Sequence, residues 1–504
     1  MNTISQVQSQ PRVVAQTGVL RFILGIVLST LSGVLLLLSF PPYGIWPLAW
    51  VALVPSVIAQ FRLLPKKWSS LAVALYILFW LGPYMGRLFG TEFGPIFTYL
   101  GVLIAILQLF IATERKFHEM TKFRYFVIFG VFGWVGFEMV RAEFIPLVAT
   151  SAFIGYTQAT QAWLFQPVSI FSVYGFNLLI ITVNYVLGQG LLVWYDRKYQ
   201  PEGVPHVNVQ STKRWMIGTG IALVAWIGLS IVMLNSTPKT GQTVRVAALR
   251  SGFPAAAFQD EVNTDQVRVD QFAEQARDAA SRGAEVLFTS EMMFGFDPQE
   301  QHTEDFKAIA KETNTYIFIA YSTVDPFRNE TVLLSPSGEF SAVYAKNHNT
   351  PGEPLSPGAG VYPVYNTPWG NMAALICHDA NYTDVTRKLS ANGGQLIAAG
   401  FREFGGFGEQ LWTNATFRAV ENRTAMVVTS AAHVSAIIDQ NGRQIALDAS
   451  DEGSPLVMVG DVQLGSGPTF YTSTGDVLGW VSLAGFVFFI FYPSVVARRM
   501  KKNS

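Results

Sequence analysis

This 504-residue chain has little charge. Only 14% of its residues are Asp, Glu, Lys or Arg, against the ~25% usual in a soluble domain. It has one cysteine, Cys377, which excludes an intramolecular disulfide and any cysteine-rich metal site. It also lacks net charge, with 35 basic side chains against 35 acidic ones, so no global field draws it to nucleic acid. What it has in quantity is apolar surface. Hydrophobic residues make up 50% of the chain, which excludes disorder and argues against a purely soluble protein.

The zero charge is a cancellation. Residues 1–238 carry 15 basic and 7 acidic side chains, residues 239–476 carry 16 and 28, and the stretch from Val477 carries four basic and no acidic ones. The length suggests more than one domain. The sequence divides at these points into a membrane part (1–238), an outer domain (239–476) and a terminal segment with a basic tail (477–504).

Apolar segments in the first part run at about 22–40, 44–61, 68–88, 95–113, 125–140, 168–195 and 215–235, and an eighth covers 477–497. Most approach the ~20 residues that cross ~30 Å of hydrocarbon as a helix, the form that satisfies every backbone group internally. Eight spans with both termini inside place 17 basic residues in cytoplasmic positions and leave only Arg87 and Arg141 outside, as the positive-inside rule requires. That topology puts 239–476 on the extracytoplasmic face. Segment 144–168 has no charged residue, and it reads as a membrane-surface or re-entrant piece. Glu138 and Arg141, three apart near the outer end of a span, read as an ion pair.

The outer domain alternates strand and helix. Strand patterns occupy 243–249, 285–289, 316–321, 331–334, 342–345, 372–376, 396–399 and 426–430, with a hairpin at 435–438 and 444–447 around Asn441-Gly442. Helical patterns occupy 263–282, 303–313, 383–392 and 409–423. This is a layered α/β domain large enough for its own core.

Three residues with reactive side chains sit at strand ends, where open α/β sheets place their sites. Cys377 follows the strand at 372–376 and leads into His378, Asp379 and Asn381. Glu291 ends the strand at 285–289, and Lys346 follows the one at 342–345. Each alone has a plain structural explanation: a buried thiol, a solvated turn acid, a surface lysine. Together they form an acyl-transfer set. A carboxylate takes the thiol proton, the thiolate attacks a carbonyl carbon, and the ammonium stabilises the oxyanion.

The order Glu291, Lys346, Cys377 resembles the Glu–Lys–Cys triad of the nitrilase (carbon–nitrogen hydrolase) superfamily. Asn329, the turn at Pro336-Ser337-Gly338, Glu353 after Pro351-Gly352, and the Cys377-His378-Asp379 elbow resemble further parts of its pattern. In the membrane part, 40–47 (FPPYGIWP), 137–141 (FEMVR), 172–176 (SVYGF) and 468–476 (PTFYTSTGD) resemble the apolipoprotein N-acyltransferases. The resemblance implies a polytopic membrane domain carrying an extracytoplasmic αββα sandwich in a bacterial inner membrane. It implies an acyl chain moving from a phospholipid to Cys377 as a thioester. The chain then moves to the N-terminal amine of the S-diacylglyceryl-cysteine of an apolipoprotein. Glu291 is the implied base and Lys346 the oxyanion partner, with Glu353, Asp379 and His378 in support. No metal or soluble cofactor is required, and a monomer is expected.

Some positions depart from that pattern. His378 stands where the family usually has an aromatic residue, Arg250 where it usually has glutamine, and the stretches 347–352 and 400–408 lack the usual elements. Two other classes use the same residues differently: a membrane-tethered amidase with water as acceptor, and a non-catalytic outer module on a membrane anchor.

Overall fold

The computed structural model describes residues 18–502 apart from 89–94, 97, 100, 105, 107–112, 147, 202, 239–241, 254–263, 325, 351–352, 354–355, 403–405 and 451–453. An apolar helical bundle carries an α/β domain, the architecture expected from the sequence.

Six helical segments among the described residues are long and apolar enough to cross a membrane: Gly18–Ser39, Trp46–Leu63, Lys66–Leu88, Val168–Tyr199, Val209–Ser236 and Val477–Val496. The expected number was eight. The helix Phe126–Phe144 forms, but Glu138, Arg141 and Glu143 within it make it too polar to count on composition. The span expected at 95–113 falls in large part outside the described residues. Trp46–Leu63 is a chain of short 3-10, α and π turns rather than one regular helix.

With no hydrophobic force between helices in lipid, close packing at small residues brings them together. A Cβ on Gly33 would stand 2.6 Å from the Tyr76 carbonyl oxygen, and one on Gly136 would stand 2.4 Å from Phe486 Cβ and 2.6 Å from the Ser482 carbonyl oxygen. Gly136 is thus the seat on which the last helix, Val477–Lys502, lies against Phe126–Phe144. At the end of the bundle away from the α/β domain, Arg62 forks onto Asp196 at 2.6 and 2.9 Å, both side chains buried. Arg115 bonds Glu119 and the carbonyls of Gln60 and Leu64.

The α/β domain contains two six-stranded sheets. The first has the order β12 (Leu456–Gln463), β1 (Thr243–Arg250), β2 (Val286–Thr289), β3 (Tyr316–Val324), β4 (Phe327–Leu334), β5 (Tyr344–Ala345). The second has the order β11 (Gln444–Asp448), β10 (Ser435–Ile438), β9 (Ala425–Ser430), β8 (Leu396–Phe401), β7 (Gly370–Ile376), β6 (Val364–Thr367). Each has a parallel centre, β1-β2-β3 and β7-β8-β9, with antiparallel strands outside it. Strand alternation sorts the core. Val244, Val246 and Ala248 pack with the second sheet, while Ala247 and Leu249 pack with Val269, Phe272, Phe306 and Ile309 of the helices Asp265–Ser281 and Thr303–Thr313. Helices Thr383–Ala391 and Phe407–Asn422 cover the second sheet through Val385, Leu389, Leu411 and Ala415. The result is an αββα sandwich.

Two strands were not expected. β12 pairs antiparallel with β1 along eight residues. Its Gly460 and part-exposed faces weaken the strand pattern in the sequence. β6 is four residues long and pairs with β7. β5, expected over 342–345, keeps only two residues.

Segment 144–168 is largely buried and not spread on a surface. Residues 150–159 are all buried, and they form a floor beneath the α/β domain. Glu138 and Arg141 do not form an ion pair with each other. Glu138 accepts from Trp134 Nε1, the Ile154 amide and Asn177 Nδ2, and Arg141 donates to the Ser151 carbonyl at 2.7 Å. Each holds the floor segment in place.

Gly136→Val should force the last helix off its seat and lower the thermal midpoint in detergent, by an overpacking cost of about 1–3 kcal/mol or more. Gly133→Ala, where a Cβ meets nothing within 4 Å, should leave it unchanged. Equal behaviour of the two variants would contradict this packing.

Candidate active site

The site lies where the strand ends of the two sheets face each other. A Cβ on Gly400, the β8 residue paired with Ile376 of β7, would stand 3.3 Å from the Glu291 amide nitrogen. Glycine there lets the end of β2 approach the second sheet.

From the first sheet come Glu291, Asn329 and Lys346. Glu291 follows β2, and the next residue, Met292, turns the chain with a φ of 52°. Asn329 lies in β4, and its carbonyl accepts the Lys346 amide at 3.0 Å, which sets the two side chains next to each other. Both donate to the same oxygen: Asn329 Nδ2 and Lys346 Nζ lie 2.6 and 3.1 Å from Glu291 Oε1. The other oxygen, Oε2, is buried and has no hydrogen-bond partner among the described residues. A carboxylate with one oxygen doubly held and the other bare and desolvated is arranged to accept a proton at the bare one.

Lys346 also reaches Glu353 at 3.2 and 3.0 Å, and Glu353 takes the Thr350 amide at 2.9 Å. The Lys346 side chain is 1% exposed. Burial works against its charge, but Glu291, the negative charge available at Cys377 and Glu353 outweigh that and hold the ammonium above its usual range.

Cys377 comes from the second sheet. It follows β7 and opens the turn Cys377–Asn381 with a φ of 46°, a region that a residue with a Cβ rarely enters. Its sulfur lies 3.8 Å from the carbonyl oxygen of Arg402, just past β8. A strained turn at a strand end displays the side chain above the sheet, and such strain gathers at reactive sites.

Asp379 braces these parts and does not face a reactant. Oδ1 takes the amides of Asn347 and His348 at 3.2 and 2.8 Å, and Oδ2 takes Tyr344 Oη at 2.6 Å and the Ile376 amide at 3.1 Å. Its four bonds tie the lysine loop to the cysteine turn. Burial raises its pKa in spite of these donors.

His378 turns away from the thiol. Nε2 lies 3.0 Å from the Pro146 carbonyl, and Nδ1 faces Asn381 Nδ2 at 3.0 Å. The carbonyl can only accept and the amide NH2 can only donate, so the ring is neutral with its proton on Nε2. Burial, with the Lys346 charge adding to it, pushes its pKa down to about 4. Tyr382 Oη also donates to the Pro146 carbonyl, and Thr150 Oγ1 to the Asn381 carbonyl. The cysteine turn therefore rests on the floor segment of the membrane part. Arg250 is buried at the end of β1 and bonds the carbonyls of Ser454 and His433; it joins β1 to its neighbours.

The structure thus brings Glu291, Lys346 and Glu353 into direct contact, sets Cys377 at the facing strand end, and gives Asp379 and His378 bracing places. Sequence reasoning gave no role to Tyr344, Gly400 or Pro146. Only Tyr344, two residues before Lys346, carried a signal, as a hydroxyl in an otherwise apolar strand.

An αββα sandwich with carboxylate, lysine and cysteine at facing strand ends defines a nitrilase-type acyl-transfer class. The carbon-nitrogen hydrolase family model matches residues 256–467, and the apolipoprotein N-acyltransferase N-terminal domain matches residues 32–186. An apolipoprotein N-acyltransferase of Geobacter metallireducens is 26% identical over 510 residues, spanning 91% of this chain and 93% of its own. One from Thermotoga maritima is 20% identical, spanning 92% of each. Among solved structures, an amidase of the nitrilase superfamily from Nesterenkonia AN1 aligns with 47% of this chain and 96% of its own, at a TM-score of 0.39 and 18% identity. With both domains matched in the same order, the chain is similar along nearly its whole length to the apolipoprotein N-acyltransferases.

The depressed pKa of His378 has a consequence for stability. Between about 4 and the ordinary value of 6.5, the unfolded chain binds a proton at this ring that the folded chain does not, so stability rises with pH there. The contribution is full above pH ~6.5 and is lost as pH falls toward ~4, by on the order of 3 kcal/mol. His378→Gln keeps a donor for Pro146 and removes the titration. Its melting temperature should fall less than the wild type's between pH 7 and pH 4.5; an equal fall would refute the assignment.

Proposed function

We propose that this protein transfers an acyl chain from a membrane phospholipid to Cys377 and then to the N-terminal amine of a diacylglyceryl-modified lipoprotein. The observation that carries this reading is the buried Lys346 ammonium held between Glu291 and Glu353, with Cys377 on a turn that rests on the membrane part.

In the first half-reaction, Glu291 takes the thiol proton at Oε2. The Cys377 sulfur bonds to the ester carbonyl carbon, and Lys346 stabilises the oxyanion. Collapse breaks the ester C–O bond, and Glu291 returns the proton to the leaving lysophospholipid oxygen. In the second, the lipoprotein amine bonds to the thioester carbon and gives a proton to Glu291. The C–S bond breaks, and the proton returns to sulfur. Atoms and protons balance without a metal or soluble cofactor.

Both substrates are lipids, and each CH₂ drawn from a bilayer into water costs ~0.8 kcal/mol. A site tethered by helices on both sides of its sequence avoids that extraction. On this reading the α/β domain is extracytoplasmic, both termini are cytoplasmic, and the Arg62, Lys66, Arg115 and Lys198 end of the bundle is the inner one. The working unit is a monomer in a bacterial inner membrane.

Intact-mass measurement after incubation with phospholipid vesicles should show a gain of one acyl chain on the wild type and none on Cys377→Ala. Glu291→Gln should slow that gain by about 10²–10⁴-fold. Hydrolysis of a small amide with no acyl mass on Cys377 would favour the amidase and overturn the transferase.

A further inference from the structure

The long helix Val168–Tyr199 contains one non-helical residue, Ser172, with φ 57° and ψ 175°. The break leaves the amides that follow without carbonyl partners from the preceding turn. Ser172 Oγ accepts the Tyr174 amide at 3.2 Å, as an N-cap does. The Val173 amide is satisfied from the other domain: it donates to Glu421 Oε1 at 2.8 Å. Glu421 ends the helix Phe407–Asn422 that covers the second sheet. A span that starts anew at Val173 thus begins against a carboxylate of the α/β domain, where the positive end of the helix dipole favours an anion.

The carboxylate is not there as a surface contact. Glu421 Oε2 lies 3.1 Å from Arg418 NH1, with both side chains 0% exposed, and Arg418 NH2 reaches Tyr156 Oη in the floor segment at 2.9 Å. Neighbouring residues add further ties, to the segment ahead of the last span and to segment 144–168. Thr469 and Thr472, just ahead of the last span, bond the Glu421 carbonyl at 2.6 Å and Asn422 Oδ1 at 3.1 Å. Arg423 bonds Gln166 Oε1 at 2.6 Å. Burying an ion pair is costly unless its geometry is used. Here the guanidinium stands beside one carboxylate oxygen while the other caps the broken span.

We infer that Glu421 is a positioning residue: by capping the span that restarts at Val173, it fixes the α/β domain on the membrane helices at the height and angle at which Cys377 meets a lipid acyl carbonyl. The cap acts through placement and not through contact with the reacting atoms. It therefore matters for a donor lying in the bilayer and not for one that arrives through water. The inference rests on the proposed transferase reading for its lipid substrate, whereas the cap itself has a readout independent of activity.

Two variants test it in the full-length protein. Val173→Pro removes the donated N–H, leaves the Arg418–Glu421 pair intact, and places proline at the first turn of a helix, where it is tolerated. Glu421→Gln keeps an acceptor for Val173 and removes the charge. Hydrogen exchange of the amides of residues 174–177 should be faster in Val173→Pro than in wild type, with Glu421→Gln between them. Acylation of Cys377 from phospholipid vesicles should fall at least about tenfold in Val173→Pro and less in Glu421→Gln. Acylation by p-nitrophenyl acetate in detergent should stay within about twofold of wild type in both. Unchanged exchange in both variants, or equal loss with both donors, would overturn the positioning role. A wild type acylated by the soluble ester but not by phospholipid would instead overturn the transferase reading while the exchange result still decides the cap.

Discussion

An ammonium ion buried to 1% exposure has to be neutralised by something near it, and the site is organised around that requirement. Lys346 is held by two carboxylates, and these come from different places: Glu291 from the end of β2, and Glu353 from the loop that follows the lysine itself. To bring them together, β4 and β5 must pair, the lysine loop must be tied to the cysteine turn by Asp379, and β8 must carry a glycine where β2 comes close. Lys346, Glu291, Glu353 and the neutral Cys377 thiol together sum to one negative charge. A proton passing from Cys377 to Glu291 leaves that sum unchanged, since a thiolate appears as a carboxylate disappears. In a medium of low dielectric, a step that moves charge without creating it is far cheaper than one that adds an uncompensated ion.

Much of this could be read from the residues in order. Strand patterns located β1, β2, β7, β8 and β9 to within a residue or two, and β3 from its first residue but three short of its end, because a buried parallel strand is an unbroken run of Val, Ile, Leu, Ala and Phe. Glu291 and Cys377 were visible because each ends such a run, and Lys346 because it follows the short outer strand β5. The strands that escaped, β6 and β12, are outer strands with mixed faces, and a strand packed on one side only leaves a weaker pattern. The bracing role of Asp379 was not legible. It depends on amides at 347 and 348 coming to residue 379, and no local pattern encodes that meeting. His378 follows the thiol directly in sequence, but its side chain bonds Pro146, a contact 232 residues away in sequence.

The joint between the two parts was the least legible region. Segment 144–168 looks like membrane-surface sequence because it lacks charge. Its polar content is largely Ser, Thr, Gln and Tyr, and in the fold Thr150, Tyr156 and Gln166 bond the α/β domain, Gln158 bonds the Trp46 carbonyl, and Thr157 and Gln161 bond within the segment. Uncharged polar side chains suit a buried interface between an apolar bundle and a folded domain, since each can be satisfied without desolvating an ion. Glu138 and Arg141 are the ionisable exceptions: buried and three apart on a helix, each bonds the floor segment instead of the other.

The seat at Gly136 bears on how the molecule is assembled. Phe126–Phe144 emerges early in synthesis, whereas the helix that lies on it, Val477–Lys502, is the last element of the chain. The Tyr125 and Tyr492 hydroxyls, 3.2 Å apart, are separated by 367 residues. Between them the whole α/β domain must be made and folded. Until that is complete, the groove beside Gly136 has no partner helix. Closure of the bundle is therefore a late, long-range event that waits on the synthesis of every strand of the α/β domain.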